Sequence, residues 1–352
     1  MDAMMRAWAA MAALAMTLAG CPGARGEVAN NTSETTLARV RAAGGLRCGI
    51  DVEEAEYSTA DDNGNRAAFD ADLCRAVAVA VLGKDAQVKV QKYPDDLTAM
   101  KGLNASAVDL VVTLPDDFTH AVGMQLQFTR PVLWDGVGFL VPVGSAVMRA
   151  RQLSGKKVCF LAETAVEESV RAWFQREHLE FVPFPFQEEG EMQAAFVTGN
   201  CGALAGERTR LAETRAALAR RGRPARLLPE SITHDPLAAA VRAGDPQWAA
   251  IVQWVMEALI QAEESGVTRS NVQTQRARAD GDPVRRFLFG KSREVGSKLG
   301  LDDDWVACVI AATGNYGEIY ERGLGGASEV KLPRGENHLM EHGGAMRALP
   351  FQ

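Results

Sequence analysis

From residue 46 onward, short apolar runs alternate with segments whose apolar residues recur every three to four positions. Leu46 to Asp51 reads as a strand. After a turn-rich stretch holding Asp61, Asp62, Asn63 and Gly64, the segment FDADLCRAVAVAVLG carries Leu73, Ala76, Val77, Ala80 and Val81 at helical spacing. Asp70 is placed to cap that helix and Gly83 to close it. A strand with Val88 and Val90 on one face, a short helix with Leu97 and Met100, and the apolar strand Val108 to Thr113 complete a β-α-β-α-β unit. The order recurs from Lys156, as strand KKVCFLA, a helix from Thr164 to Glu177, strand LEFVPF, helix EMQAAFV and strand CGALAG. Thr164 and Glu167 have the spacing of a capping box.

Two such units predict two α/β lobes with parallel sheets, because β-α-β connections build parallel pairs. The extended stretches WDGVGFLVPVG (134–144) and RLLPESITHDPLAAAVRAGD (226–245) flank the second unit. The chain is therefore expected to leave the first lobe and return to it on two crossing strands, which make a hinge. Lobe 1 takes residues 36–139 and 233–352, and lobe 2 takes 140–232.

Composition agrees with this division, since 352 residues with 47% hydrophobic and 24% charged side chains suit about two soluble domains. The net charge of -7 is spread along the chain. With no basic patch, nucleic acid is not an expected partner. The first twenty residues add a destination. MDAMMRAWAAMAALAMTLAG has one arginine, Arg6, and then an apolar run too short to span a bilayer as a helix, so it reads as an export signal. Its end, Leu18-Ala19-Gly20-Cys21, resembles the bacterial lipobox, which makes Cys21 the expected lipidation site; plain secretory cleavage is the alternative. Residues 21–35 then form a small, polar tether. The protein is expected in the periplasm or cell envelope, touching membrane only through that lipid. Disulfides survive in such a compartment.

Two catalytic patterns fail on inspection. His338-Leu339-Met340-Glu341-His342 matches the H-x-x-E-H of one zinc peptidase group, but Gly343 and Gly344 break the helix at once and only ten residues follow. Gly290-Lys291-Ser292 has the ending of a phosphate-binding loop, but Arg285 stands where its first glycine belongs. No metal or cofactor is implied.

The stretches PLAAAVRAGDPQWAAIVQWVMEALIQAEESGVT (236–268) and DDDWVACVIAATGNYGEIYERGLG (302–325), with LRCGI, FDADLCRAVA and RGENHLMEHGGAM, carry a family likeness. From about Thr36 to the C-terminus the chain resembles the family 3 periplasmic solute-binding proteins of polar amino-acid ABC transporters, in their general L-amino-acid-binding branch. The resemblance implies a periplasmic-binding-protein type II fold, a venus flytrap of two α/β lobes with a C-terminal helical extension. It also implies a monomer that binds a small polar solute, hands it to a permease in the inner membrane, and is not an enzyme. Trp248 and Trp254 read as core.

Compared with the family's pattern, the ligand loop is altered. Where the family carries a hydroxyl residue and then an arginine that clamps the ligand's α-carboxylate, this chain, in DLVVTLPDDFTHAV, has Asp116 and Ala121, with His120 beside it. Thr113 ends the preceding strand. Tyr57 can supply the family's aromatic wall, Thr164 keeps the hydroxyl at the lobe 2 helix start while Glu163 replaces a glycine, and Glu207 keeps the acid that would hold an ammonium. Tyr57, Thr113, Asp116, His120, Glu163, Thr164 and Glu207 are thus the candidate ligand residues. Arg130 or Arg208 can replace the missing cation. Asp116 and Asp117 also suit an ordinary Pro-Asp turn, and Glu163 a helix-start charge. The acids favour a cationic, amine-bearing solute. A receptor or scaffold without amino-acid binding, and a dehydratase-like enzyme on the same fold, such as a cyclohexadienyl dehydratase, remain alternatives.

Within each lobe one cysteine lies on the first strand and another on an element expected to pack beside it. Cys48 is expected to pair with Cys74, and Cys159 with Cys201, leaving Cys308 free and buried in its apolar helix.

Overall fold

The computed structural model describes residues 35–51, 65–281, 286, 288–289 and 295–350. In order, α1 (Thr36–Ala43), β1 (Gly45–Asp51), α2 (Asn65–Leu82), β2 (Gln87–Tyr93), α3 (Asp96–Asn104), β3 (Leu110–Pro115), α4 (Phe118–Gly123) and β4 (Leu126–Asp135) form the first unit. The second comprises β5 (Val137–Pro142), β6 (Lys157–Leu161), α5 (Ala165–Arg176), β7 (Val182–Phe186), α6 (Glu189–Val197), β8 (Ala203–Glu207), α7 (Arg208–Arg220) and β9 (Ala225–Leu227). Then β10 (Asp235–Arg242) and α8 (Pro246–Glu264) follow, and shorter helices, among them Trp305–Thr313 and Tyr316–Gly323.

The two five-stranded sheets have the same plan. One has the order β2-β1-β3-β10-β4, the other β7-β6-β8-β5-β9. In each, a parallel trio (β2-β1-β3 and β7-β6-β8) is followed by a strand antiparallel to it, β10 beside β3 and β5 beside β8, and then by one more antiparallel pairing at the edge, β4 and β9. Central strands are continuous apolar runs because helices cover both faces. Leu110 and Val112 face one core with α2 and α8, whereas Val111 and Leu114 face another with Met100 and Leu103 of α3. The second sheet is likewise covered on both sides.

The chain passes from sheet to sheet at Gly136 and returns after Leu227. The two passages touch, with the Val137 amide donating to the Thr233 hydroxyl (2.8 Å) and the Ile232 amide to the Val137 carbonyl (2.8 Å). A Cβ on Gly136 would stand 2.3 Å from the Thr233 carbonyl oxygen, so only glycine fits. The C-terminal extension runs along this junction. The Asn337 side-chain amide bonds both the N–H and the C=O of Trp134 (2.7 and 2.8 Å), while Arg215 and Arg220 of α7 reach Val330 and Glu329 of the extension.

Several expectations are met and some corrected. Cys48–Cys74 and Cys159–Cys201 lie at disulfide distance, with Cα separations of 6.1 and 5.9 Å. Cys308 is free but half-buried, because its helix turns that edge outward. Trp248 is core, its indole N–H donating to the Asp109 carbonyl (2.8 Å), whereas Trp254 is half-buried. Asp70 does not cap α2: the helix starts at Asn65, so Asp70 sits inside it and is fully buried. The His338–His342 stretch forms a short 3₁₀ turn ended by left-handed Gly343. Among the described residues, no helix is long and apolar enough to cross a membrane.

Candidate functional site

Ligands in open α/β sheets bind outside the carboxyl ends of the strands, and residues 113–121 leave β3 at such an end. The pairing of β3 with β10 slips at this point. Leu114 stands opposite Ala238 and Val111 opposite Ala240, so Val112 and Thr113 together face the single residue Ala239. This is a bulge, and Thr113 within it has φ 55°, a left-handed backbone unusual for a β-branched residue. Thr113 is fully buried, and its hydroxyl lies 2.9 Å from both carboxylate oxygens of Asp70. The Thr113 hydroxyl thus faces into the fold.

Beyond the bulge, the Asp116 amide donates to the Pro236 carbonyl (3.0 Å), tying the loop to β10. Asp117 caps α4, accepting the His120 amide (2.9 Å) and sitting 2.6 Å from His120 Nδ1. The turn reading therefore holds for Asp117, and it also fixes His120. The neighbouring acids titrate in opposite directions. Burial, helped by the Asp117 charge, raises the Asp116 pKa. Burial also pushes Asp117 up, but the hydrogen bonds and charge of His120 outweigh it and leave Asp117 below the usual carboxylate range. Ala121 is half-buried, and Phe118 and Val122 on the outer face of α4 are 80% and 61% exposed.

The second sheet presents its own strand end. After β6, Glu163 has φ 58° and is exposed, and Thr164 caps α5 by accepting the Glu167 amide (3.3 Å) while donating to the Leu161 carbonyl (2.8 Å). The reciprocal bond of the box is displaced by one residue, since Glu167 accepts the Glu163 amide (2.9 Å). That bond, with Arg171, lowers the Glu167 pKa. The first-turn N–H groups that attract anions at a helix start are thus partly engaged by the helix's own side chains.

Glu207 ends β8 opposite Val137, with Arg210 at 3.5 Å. It has a neighbour that sequence reasoning missed. Asp235, at the start of β10, has its pKa raised by burial and by the Glu207 charge, against a 2.7 Å bond from the Thr233 hydroxyl. The Glu207 charge at the end of β8 thus acts on Asp235 at the start of β10, and the next residue, Pro236, accepts the Asp116 amide. In the sequence Asp235 belongs to THDPL, which reads only as a turn before a strand.

Both arginines considered as replacement clamps are engaged elsewhere. Arg208 gives Nη1 to the carbonyls of Leu228 and Glu230 (both 2.9 Å), and burial lowers its pKa while the Asp135 charge opposes that. Arg130 Nη1 bonds the Arg347 carbonyl (3.0 Å) and stands 3.6 Å from Glu257. Tyr57 and Cys21 lie outside the described residues. A groove of about 460 Å³ opens elsewhere, lined by Glu263, Glu318, Glu321, Arg322 and Arg334 among others, and by none of the strand-end residues.

No protein-family model matches the chain. The general L-amino acid-binding periplasmic protein AapJ of Rhizobium johnstonii is 36% identical over 328 residues, 92% of this chain and 95% of its own length. The glutamate/glutamine/aspartate/asparagine-binding protein BztA of Rhodobacter capsulatus is 34% identical over 326 residues, 92% of this chain and 96% of its own. Among solved structures, an ABC transporter periplasmic binding protein from Brucella ovis with glutathione bound superposes with a TM-score of 0.77 at 32% identity, covering 90% of this chain and 99% of that one. Similarity at this level along nearly the whole length, on a fold of two matched sheets, means that the chain belongs to the periplasmic solute-binding proteins of amino-acid ABC transporters.

Proposed function

We propose that this protein captures a small polar solute bearing a cationic amine, between lobes formed by residues 36–139 plus 233–352 and by residues 140–232, and presents it to an ABC permease in the inner membrane. Asp116, His120, Glu163, Thr164 and Glu207, with Tyr57 as an aromatic wall and Asp235 added, line the site in this reading; Thr113 supports the loop from behind. The observation that carries it is the commitment of Arg130 and Arg208 to internal carbonyls and acids, beside a loop that has Ala121 in the clamp position. A free amino acid then lacks its carboxylate partner. Losing such a partner costs on the order of 2 to 5 kcal/mol, enough to move a micromolar site towards millimolar.

The lipobox-like Leu18 to Cys21 supports a lipid anchor on the tether of residues 21–35. Cys21→Ser should release the protein from the membrane fraction or block its processing. The solute reading is tested by thermal-shift screening of polyamines, basic amino acids, acidic amino acids and glutathione. A ligand at 100 times its dissociation constant stabilises the fold by about 2.7 kcal/mol. Amines are expected to shift the transition and acidic amino acids to leave it unchanged. The reverse pattern refutes the cationic site, and silence to every probe supports a scaffold role.

A further inference from the structure

The buried Asp70 is given no role by the family likeness or by the site as described. It lies on α2, inside the core that α2 shares with Leu110 and Val112 of β3. Along a strand, side chains alternate between faces. Leu110 and Val112 keep that alternation towards α2, with Val111 on the opposite face. Thr113 should then turn away from α2, and Leu114 towards it. Instead Thr113 bonds Asp70 on the α2 side, and Leu114 packs with Val111 in the opposite core. The strand changes phase by one residue at Thr113. A shift of one residue sends every later side chain to the other face, so Asp116, two residues beyond Leu114, follows the new phase.

We propose that Asp70 is a positioning residue for the ligand loop: by accepting the Thr113 hydroxyl it holds this β-branched residue in the left-handed turn that sets the face on which Asp116 emerges. The left-handed region is disfavoured for such a side chain, and such conformations persist where surrounding contacts determine them. The carboxylate, with both oxygens at 2.9 Å from Oγ1, supplies the contact. Asp70 touches no ligand in this account. Its role in solute binding rests on the assignment of the 113–121 loop to the site, but its effect on loop geometry does not.

Three variants of the full chain test this: Asp70→Asn, Asp70→Ala, and Asp70→Ala combined with Thr113→Gly. The readout is hydrogen exchange at the Asp116 amide, which is bonded to the Pro236 carbonyl. Asparagine can still accept the hydroxyl, so Asp70→Ala should speed exchange about tenfold or more while Asp70→Asn stays near the parent. Glycine takes positive φ at no steric cost, so the double variant should recover most of the protection. A general loss of core packing would not be repaired by the Thr113→Gly change. A double variant as fast in exchange, or as unfolded, as Asp70→Ala overturns the proposal. Calorimetric titration of the same proteins with putrescine and L-glutamate reads the binding consequence separately. If exchange follows the expected pattern while neither probe binds the parent, Asp70 positions the loop and the solute assignment is what fails.

Discussion

The strand ends of the two sheets use one design in two settings. Within the end of β3 and just after β6 a non-glycine residue takes a left-handed backbone, Thr113 and Glu163, and within four residues a side chain caps a helix, Asp117 and Thr164. In the first sheet the turn is buried and bonded to Asp70; in the second it is exposed, with its amide bonded to Glu167. The first loop is thus held from the core and the second from its own helix. Both ends carry acids where the family likeness leads one to expect a cation or free N–H groups.

The largest expected effects come from the cysteine pairs, one in each half. For loops of 26 and 42 residues the chain-entropy relation gives about 3.5 and 4 kcal/mol respectively. Cys48→Ser and Cys159→Ser should lower stability by roughly these amounts in urea denaturation under oxidising conditions. Cys74 stands one helical turn beyond Asp70, so Cys48→Ser should also loosen the Asp116 amide, which Cys159→Ser should spare. Equal loosening by both would erase the distinction between the two loops.

Next in size is the restoration of a clamp. Ala121→Arg should tighten L-glutamate binding at least about tenfold, a hydrogen bond to a charged group contributing about 1.5 to 3 kcal/mol. No gain in calorimetry would mean that position 121 does not reach the solute.

The two helix caps separate by pH. Asp117→Ala and Thr164→Ala should each cost about 1 kcal/mol at neutral pH. Because the folded pKa of Asp117 is lowered, its stabilisation is complete above the ordinary carboxylate pKa and disappears as pH falls through the folded value. The Asp117→Ala penalty should therefore shrink in acid, and that of Thr164→Ala should not. Thermal melts across pH 3 to 7 decide between them.

Smallest is Asp116. Its folded pKa is raised, so its ionised form opposes folding at neutral pH and the opposition fades as pH falls through the folded value. Asp116→Asn should raise the melting temperature slightly near pH 7 and lose that gain in acid. A lowered melting temperature would show that ionised Asp116 has a stabilising partner.

Much of the fold was legible because its signals are local. Leu73, Ala76, Val77, Ala80 and Val81 mark the buried face of α2 by spacing alone, and the crossings at residues 134–144 and 226–245 stand out as extended runs. Thr164 announced its cap through Glu167 three residues on. The phase change at Thr113 was not legible, because it depends on Asp70, 43 residues away in the chain. Nor was the charge at the junction, since Asp235 meets Glu207 only when β10 returns to the first sheet. The engagement of Arg130 and Arg208 is likewise a matter of tertiary contacts with Arg347, Leu228 and Glu230. Residues that act through partners distant in sequence carry no pattern that a window along the chain can detect.

The most direct test of the proposed cation-selecting site is a pair of calorimetric titrations of the purified protein, one with putrescine, which has amines and no carboxylate, and one with L-glutamate. The expected result is binding of the diamine at least about tenfold tighter than that of the amino acid, matching the loss of one charge-assisted clamp. Micromolar binding of L-glutamate, with the diamine weaker, would contradict the account and assign the carboxylate a cation that neither Arg130 nor Arg208 provides in this structure.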